Sequence, residues 1–300
     1  ELIPAGKLIS SFGWRFALHT NYTDYSPNYK DFNTDHAIIN STGQIRSGGT
    51  FGGVLNNFIK PFYYNYYIDK YEPEVTKRYS ANASFVDVFG ARTPQRDVDY
   101  DSSLEGSGKE SYVIKKTEEA VNKIREIHNG PFFSEGGVDH VRYAGIIDGV
   151  EAQNAPKYLL PDFDLTKVFP LSLNHGMGYY SRTVPKKGSD GLYDQKTTDW
   201  YRARQLAYGH QSYVMDQMPA NYVNQVCTEY YLMRAIQKQY AKSEVKTVYY
   251  LDGERKLNLS DALREKYFDK GDCGALEITY KNGTRIVVNC SDETIFVNGY

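Results

Sequence analysis

Ala83-Ser84-Phe85-Val86-Asp87-Val88-Phe89-Gly90 and Gly130-Pro131-Phe132-Phe133-Ser134-Glu135-Gly136-Gly137 are two short apolar runs. Each carries a carboxylate near its C-terminal end and then reaches glycine. Apolar runs of this length between turn signals read as buried strands. Between them, Glu110 to His128 places Val113, Ile114, Thr117, Val121, Ile124 and Ile127 at helical spacing, with charged residues filling the gaps. Gly130 stops that helix. Strand, helix and strand in succession make one parallel α/β unit.

The same grammar extends outward. Residues 2–12 read as the end of a helix, Trp14 to Leu18 as a strand, and 61–79 as a helix with one aromatic face. His36-Ala37-Ile38-Ile39 and Gln44-Ile45-Arg46 flank the turn signal Ser41-Thr42-Gly43 and read as a hairpin insertion. Further strands are expected at Tyr143–Gly149 and Lys167–Leu173, and helices at Thr198–Val214 and Ala220–Tyr240. From residue 244 only strands are expected, at 245–250, 275–280, 285–289 and 294–297, with Asn282-Gly283 as a hairpin turn. The expected fold class is therefore α/β. A (β/α)8-type, TIM-like barrel occupies 1–243, short of its N-terminal strands, and a C-terminal β-sandwich occupies 244–300. With four or five barrel strands present, the chain reads as a fragment of a longer protein.

Composition narrows the function classes. The chain has 300 residues and a net charge of −2, which makes neither nucleic acid nor an anionic membrane an obvious partner. No apolar run is long enough for a transmembrane helix. Tyrosine is the outlier, with 28 copies, joined by 14 Phe. An aromatic face with a polar handle suits a sugar ring, and it equally suits a large core. Three cysteines, Cys227, Cys273 and Cys290, lack metal-ligand spacing; the last two flank a hairpin across which they could meet. Glycosylation sequons begin at Asn21, Asn40, Asn82, Asn258, Asn282 and Asn289.

In a β/α barrel, active residues collect at the C-terminal ends of the strands. Polar residues recur at such places: His19, Asn21 and Asp24, then Asp87, Glu135, Asp148 and His175. Glycoside hydrolysis needs two carboxylates, and adjacent strands can hold them at the retaining separation of about 5 Å. Asp87, beside an open polar loop, fits the ionised nucleophile. Glu135, behind Phe132 and Phe133, fits the acid/base, its pKa raised by apolar neighbours. Substrate-binding candidates are His19, Asn21, Asp24, Asp148, His175 and Tyr179, with Tyr180 as a further stacking platform. Each has a plainer reading: a core hydrogen bond for His19, an Asx-turn or cap for Asp24, a turn for Asp148, core packing for the tyrosines. Asp162, Asp164 and His175 could ligate a metal, although loop carboxylates explain the first two better.

Taken in order, Leu18-His19-Thr20-Asn21-Tyr22-Thr23-Asp24-Tyr25, Phe85-Val86-Asp87-Val88, Ser134-Glu135-Gly136-Gly137, Ala144-Gly145-Ile146-Ile147-Asp148-Gly149 and His175-Gly176-Met177-Gly178-Tyr179 resemble a bacterial group. It is the glycosidase-like barrel proteins of the domain of unknown function 5696 family, distantly similar to glycoside hydrolase families 101 and 129, the α-N-acetylgalactosaminidases. The resemblance implies a strand-end Asp nucleophile and a Glu acid/base on the next strand, roles that only Asp87 and Glu135 fit. It also implies upstream segments absent here. The expectation is a retaining hydrolase of an α-linked glycan, without cofactor, extracellular or periplasmic in a bacterium. A carbohydrate-binding barrel without catalysis and a metal-dependent hydrolase are the competing expectations.

Overall fold

The computed structural model describes residues 1–136, 146–152, 174–177, 199, 202–203, 205–207, 209, 223–270, 274–289, 291 and 294–297. Two compact units are present, Glu1–Val150 and Glu151–Tyr300. The change to strand-rich sequence at residue 244 falls inside the second of them.

In the first unit, helix α1 (Leu2–Ser11) leads into strand β1 (Ala17–Thr20). An insertion follows, with β2 (Asp24–Tyr25), β3 (Ser47–Phe51) and β4 (Val54–Phe58) in a small antiparallel sheet of order β2-β4-β3. Then come α2 (Tyr64–Tyr79), β5 (Ala83–Val86), α3 (Glu110–His128) and β6 (Phe132–Gly136). β1 and β5 pair in parallel, with Thr20 opposite Val86, and β5 and β6 pair in parallel, with Val86 opposite Ser134. The order β1-β5-β6 continues to β7 (Gly149–Ala152), while β8 (Asn174–Met177) belongs to the second unit. Insertion strands aside, each strand lies beside its successor in sequence, and the order never reverses. A doubly wound sheet reverses at a switch point, whereas a barrel does not. Among the described residues no closed ring of eight strands is present.

α3 forms because one stripe of it is apolar. Val113, Thr117, Ala120, Val121, Ile124 and His128 are buried. Fully burying each aliphatic member contributes about 1.5–3 kcal/mol. Asn129, in the left-handed conformation at φ 47°, ends the helix. Gly130 must follow, because a Cβ there would stand 1.9 Å from the Asn82 carbonyl oxygen.

Several expected elements differ. The hairpin expected around Ser41–Gly43 forms as a short one: the antiparallel bridge Ile39↔Ile45 is flanked by the Asn40 N–H donating to the Gln44 carbonyl and the Arg46 N–H donating to the Ile38 carbonyl, each at 2.8 Å. An unexpected second hairpin, β3–β4, turns through Gly52 and Gly53 at positive φ. The strand expected to end at Asp148 instead begins after it, as β7. Residues 167–173 lie outside the described residues, and β8 follows them.

In the second unit, α4 (Val223–Tyr240) precedes β9 (Val245–Asp252), β10 (Arg255–Leu257), β11 (Ala275–Tyr280) and β12 (Arg285–Asn289). These four strands form an antiparallel sheet of order β10-β9-β11-β12. Tyr250, Leu276, Ile278 and Tyr280 pack with Ala207 and Tyr240 from the preceding segment. The core is thus shared between sheet and helix, and among the described residues no second sheet forms a sandwich. Nor is this stretch all β. Asn258 caps α5 (Leu259–Arg264) by accepting the Asp261 N–H at 2.8 Å, and a 3-10 turn follows at Tyr267–Lys270. Thr294–Val297 has no strand structure.

Candidate active site

The parallel register decides which side chains can meet. His19, Phe85 and Phe133 occupy one row across β1, β5 and β6. Asp87 and Glu135 each lie one residue beyond the paired Val86 and Ser134, two residues after Phe85 and Phe133. Side chains two residues apart share a sheet face, and adjacent strands stand about 4.8 Å apart. Both carboxylates therefore emerge on the His19, Phe85 and Phe133 face, at the C-terminal end of the sheet. The alternate residues Val86, Phe132 and Ser134 are fully buried on the opposite face.

Asp87 is held by several contacts. Its N–H donates to the Thr20 carbonyl at 2.8 Å. Its Oδ2 accepts from Asn21 Nδ2 at 3.0 Å, and the same amide donates to Asp24 Oδ2 at 2.9 Å. Asn21 Oδ1 in turn accepts the N–H groups of Thr23, at 2.8 Å, and Asp24, at 2.9 Å. One asparagine thus closes an Asx-turn with its oxygen and joins two carboxylates with its nitrogen. His19, stacked on Phe85 with centroids 5.3 Å apart, brings Nε2 to 3.6 Å from Asp87 Oδ1.

The backbone after Asp87 is strained. Val88 has φ 72°, and the Phe89 N–H donates across it to the Asp87 carbonyl at 2.9 Å. This is the γ-turn of positive φ, costly for a β-branched residue. Ser134 supports it from β6: its hydroxyl donates to the Val86 carbonyl at 2.6 Å and accepts the Gly90 N–H at 2.8 Å. Strain of this kind persists only where the surroundings enforce it, and it clusters at working sites.

Beneath Asn21 lies a network that sequence reasoning missed. Glu72, on α2, is fully buried. It accepts from Thr20 Oγ1 at 3.1 Å, Tyr22 OH at 2.7 Å and His128 Nε2 at 2.6 Å. Thr20 and Tyr22 flank Asn21, so the acid anchors both sides of the turn that carries it. Burial and then the Glu72 charge push the Tyr22 hydroxyl far above its ordinary pKa.

The remaining candidates fall elsewhere. Asp148 sits at the N-terminal end of the sheet, opposite the carboxylates. It forms a two-point pair with Arg125, at 2.9 and 2.5 Å, and accepts the Phe132 N–H at 2.8 Å. That is a structural clamp between α3, β6 and β7, not a position from which substrate at the other end is reached. His175 lies in the interior of β8 rather than at a strand end. Tyr179, Tyr180, Asp162, Asp164, Cys273 and Cys290 lie outside the described residues. Among the described residues no group of three or more His, Cys, Asp or Glu could hold a metal ion. None of the described helices is long and apolar enough to cross a membrane.

Comparison with solved structures bears on the fold. The chain superposes on α-N-acetylgalactosaminidase NagBb from Bifidobacterium bifidum with a TM-score of 0.68 at 13% identity, over 95% of this chain and 42% of that one. The ligand-free form of that enzyme gives 0.64 at 15%, over 99% and 45%. The GH36 α-galactosidase AgaA from Geobacillus stearothermophilus gives 0.57 at 14%, over 94% and 37%. The chain has a glycoside hydrolase-like fold. At these identities the likeness concerns fold alone, and the chain spans less than half the length of these enzymes. No family model matches the sequence, and neither does any curated protein.

Proposed function

We propose that this chain carries the catalytic pair of a retaining glycoside hydrolase acting on an α-linked glycan. The observation that supports it most directly is the register of β5 and β6: the pairing ends at Val86↔Ser134, and Asp87 and Glu135 are the next residue of each chain segment at the C-terminal end of a parallel sheet. In the first step Asp87 attacks the anomeric carbon while Glu135 protonates the departing oxygen, leaving a glycosyl ester on Asp87. In the second, Glu135 takes a proton from water, whose oxygen displaces Asp87 and releases the sugar. Asn21 and His19 hold the nucleophile, and the stacked His19 and Phe85 rings offer an apolar surface beside it. No cofactor enters either step.

The kinship with the domain of unknown function 5696 group belongs to the same reading, as does a bacterial, extracellular or periplasmic setting. Fold likeness to an α-N-acetylgalactosaminidase and an α-galactosidase supports an α-linked substrate. The test is hydrolysis of a panel of aryl α-glycosides by the protein that carries this chain. Asp87→Asn and Glu135→Gln should each lower kcat by at least about 10²-fold. Hydrolysis left intact in both variants would refute the assignment. Glycan binding without turnover in the unsubstituted protein would favour a non-catalytic carbohydrate-binding barrel.

A further inference from the structure

Phe58, at the end of β4, has two guanidinium groups over one ring. The Arg92 Cζ stands 3.7 Å from the ring centroid and the Arg46 Cζ 5.5 Å. Gly48 permits this packing, since a Cβ there would meet the ring at 3.1 Å. Arg92 is only 6% exposed and Asp97 7%. The two are ion-paired. Arg92 Nη2 and Asp97 Oδ1 face each other in that pair, and Arg92 Nε is buried without a hydrogen-bond partner. Arg46 has no ion-paired carboxylate among the described residues, and Arg96 adds its charge to the same field. The guanidiniums of Arg46, Arg92 and Arg96 all act on Asp97, and Asp24 adds a negative charge nearby. Burial, and then the charge of Arg92, pull the Arg46 pKa down.

The position of this cluster gives it meaning. Phe58 is the direct antiparallel partner of Asp24, so its ring and the Asp24 carboxylate share one face of the small sheet. Asp24 shares the Asn21 amide with Asp87. Arg92 follows Asp87 in the same loop, and its N–H donates to the Val88 carbonyl at 3.2 Å. A buried guanidinium nitrogen without a partner is costly, and a planar fork suits a two-oxygen anion.

We propose that Arg46 and Arg92, gathered over Phe58 beside Asp24, form a subsite for a carboxylate or sulfate group carried by the glycan. The substrate class is then an acidic glycan, and this rests on reading Asp87 and Glu135 as a glycosidase pair. Titration calorimetry in the Asp87→Asn background, which prevents turnover, tests it. The probes are methyl α-D-glucuronide and methyl α-D-galactoside 6-sulfate, each against its neutral parent glycoside. One anionic glycoside should bind at least about tenfold more tightly than its parent, and which one does so separates carboxylate from sulfate. Arg46→Gln should bring the two affinities within about twofold of each other. Arg46→Lys, which keeps the charge without the fork, should retain part of the preference, excluding misfolding as the cause.

Equal binding of anionic and neutral glycosides, or a preference that survives Arg46→Gln, overturns the subsite. If neutral aryl glycosides are nonetheless cleaved by the unsubstituted protein, the hydrolase reading stands without it. If the Arg46-dependent preference appears but the unsubstituted protein cleaves no glycoside, the subsite stands and the hydrolase reading fails. No binding of any probe overturns the subsite as well.

Discussion

Replacing Glu72 by alanine removes the acceptor for three donors at once. Thr20, Tyr22 and His128 all point at this one carboxylate, at 3.1, 2.7 and 2.6 Å, and the site is closed to water. Each buried donor left unsatisfied costs about 1–3 kcal/mol. Taking the low end for each and adding the void left by the side chain gives about 3–5 kcal/mol, the range seen when one partner of a buried charged pair is removed. Glu72→Gln is milder, because its oxygen still accepts from Thr20 and Tyr22 and only the contact with His128 is lost, at about 1–2 kcal/mol. Urea denaturation followed by near-UV circular dichroism of the tyrosines measures both. With a slope of about 2 kcal/mol/M, the alanine variant should unfold about 2 M earlier. An alanine variant within about 1 kcal/mol of the unsubstituted chain would refute the view that Glu72 anchors the Asn21 turn.

Val88→Gly relieves about 1–2 kcal/mol of backbone strain but forfeits a similar amount in chain entropy and side-chain packing. Its stability should therefore change by less than about 1 kcal/mol while cleavage slows, and an unchanged cleavage rate would show that the strained turn does not fix Asp87. Asp148→Ala should destabilise by about 1–3 kcal/mol in denaturant yet leave the rate per folded molecule unaltered. A rate loss beyond about tenfold would return Asp148 to the substrate site. Lys60 holds Asp101 at a pKa of about 2, below the ordinary 3.8. The contribution of that pair is present above about pH 4 and is lost as pH falls toward 2, so Lys60→Met should flatten the acid limb of the stability profile in that window. A limb of unchanged slope would count against it.

The α/β order was legible where hydrophobic pattern and structure obey the same rule. The runs at 83–87 and 130–135 became β5 and β6, and the helix expected at Glu110–His128 is α3. The hairpin β3–β4 was not legible, because β3 is mostly exposed and shows no alternation. Asp148 was misplaced for a related reason: an apolar run shows that a strand is near but does not mark its ends. Glu72 escaped notice because a charged residue in a helix usually faces water. One signal was available, since Tyr64, Ile68 and Glu72 fall at successive four-residue steps on the buried stripe of α2. The arginines over Phe58 were invisible for want of any local pattern. Arg46, Phe58 and Arg92 come together only through the insertion and the loop after β5.

Asn21 begins an Asn-Tyr-Thr sequon, and both hydrogens of its amide are already committed to Asp24 and Asp87. A glycan attached in a eukaryotic secretory pathway would replace one of them, because oligosaccharide is transferred to Nδ2. The remaining hydrogen could serve one carboxylate but not both, and Thr23, the third residue of the sequon, is buried in the folded chain. The choice of production host is thus a chemical variable for this protein. A host that does not glycosylate leaves the amide whole, whereas one that does could deliver a chain altered at the residue that couples its two acids.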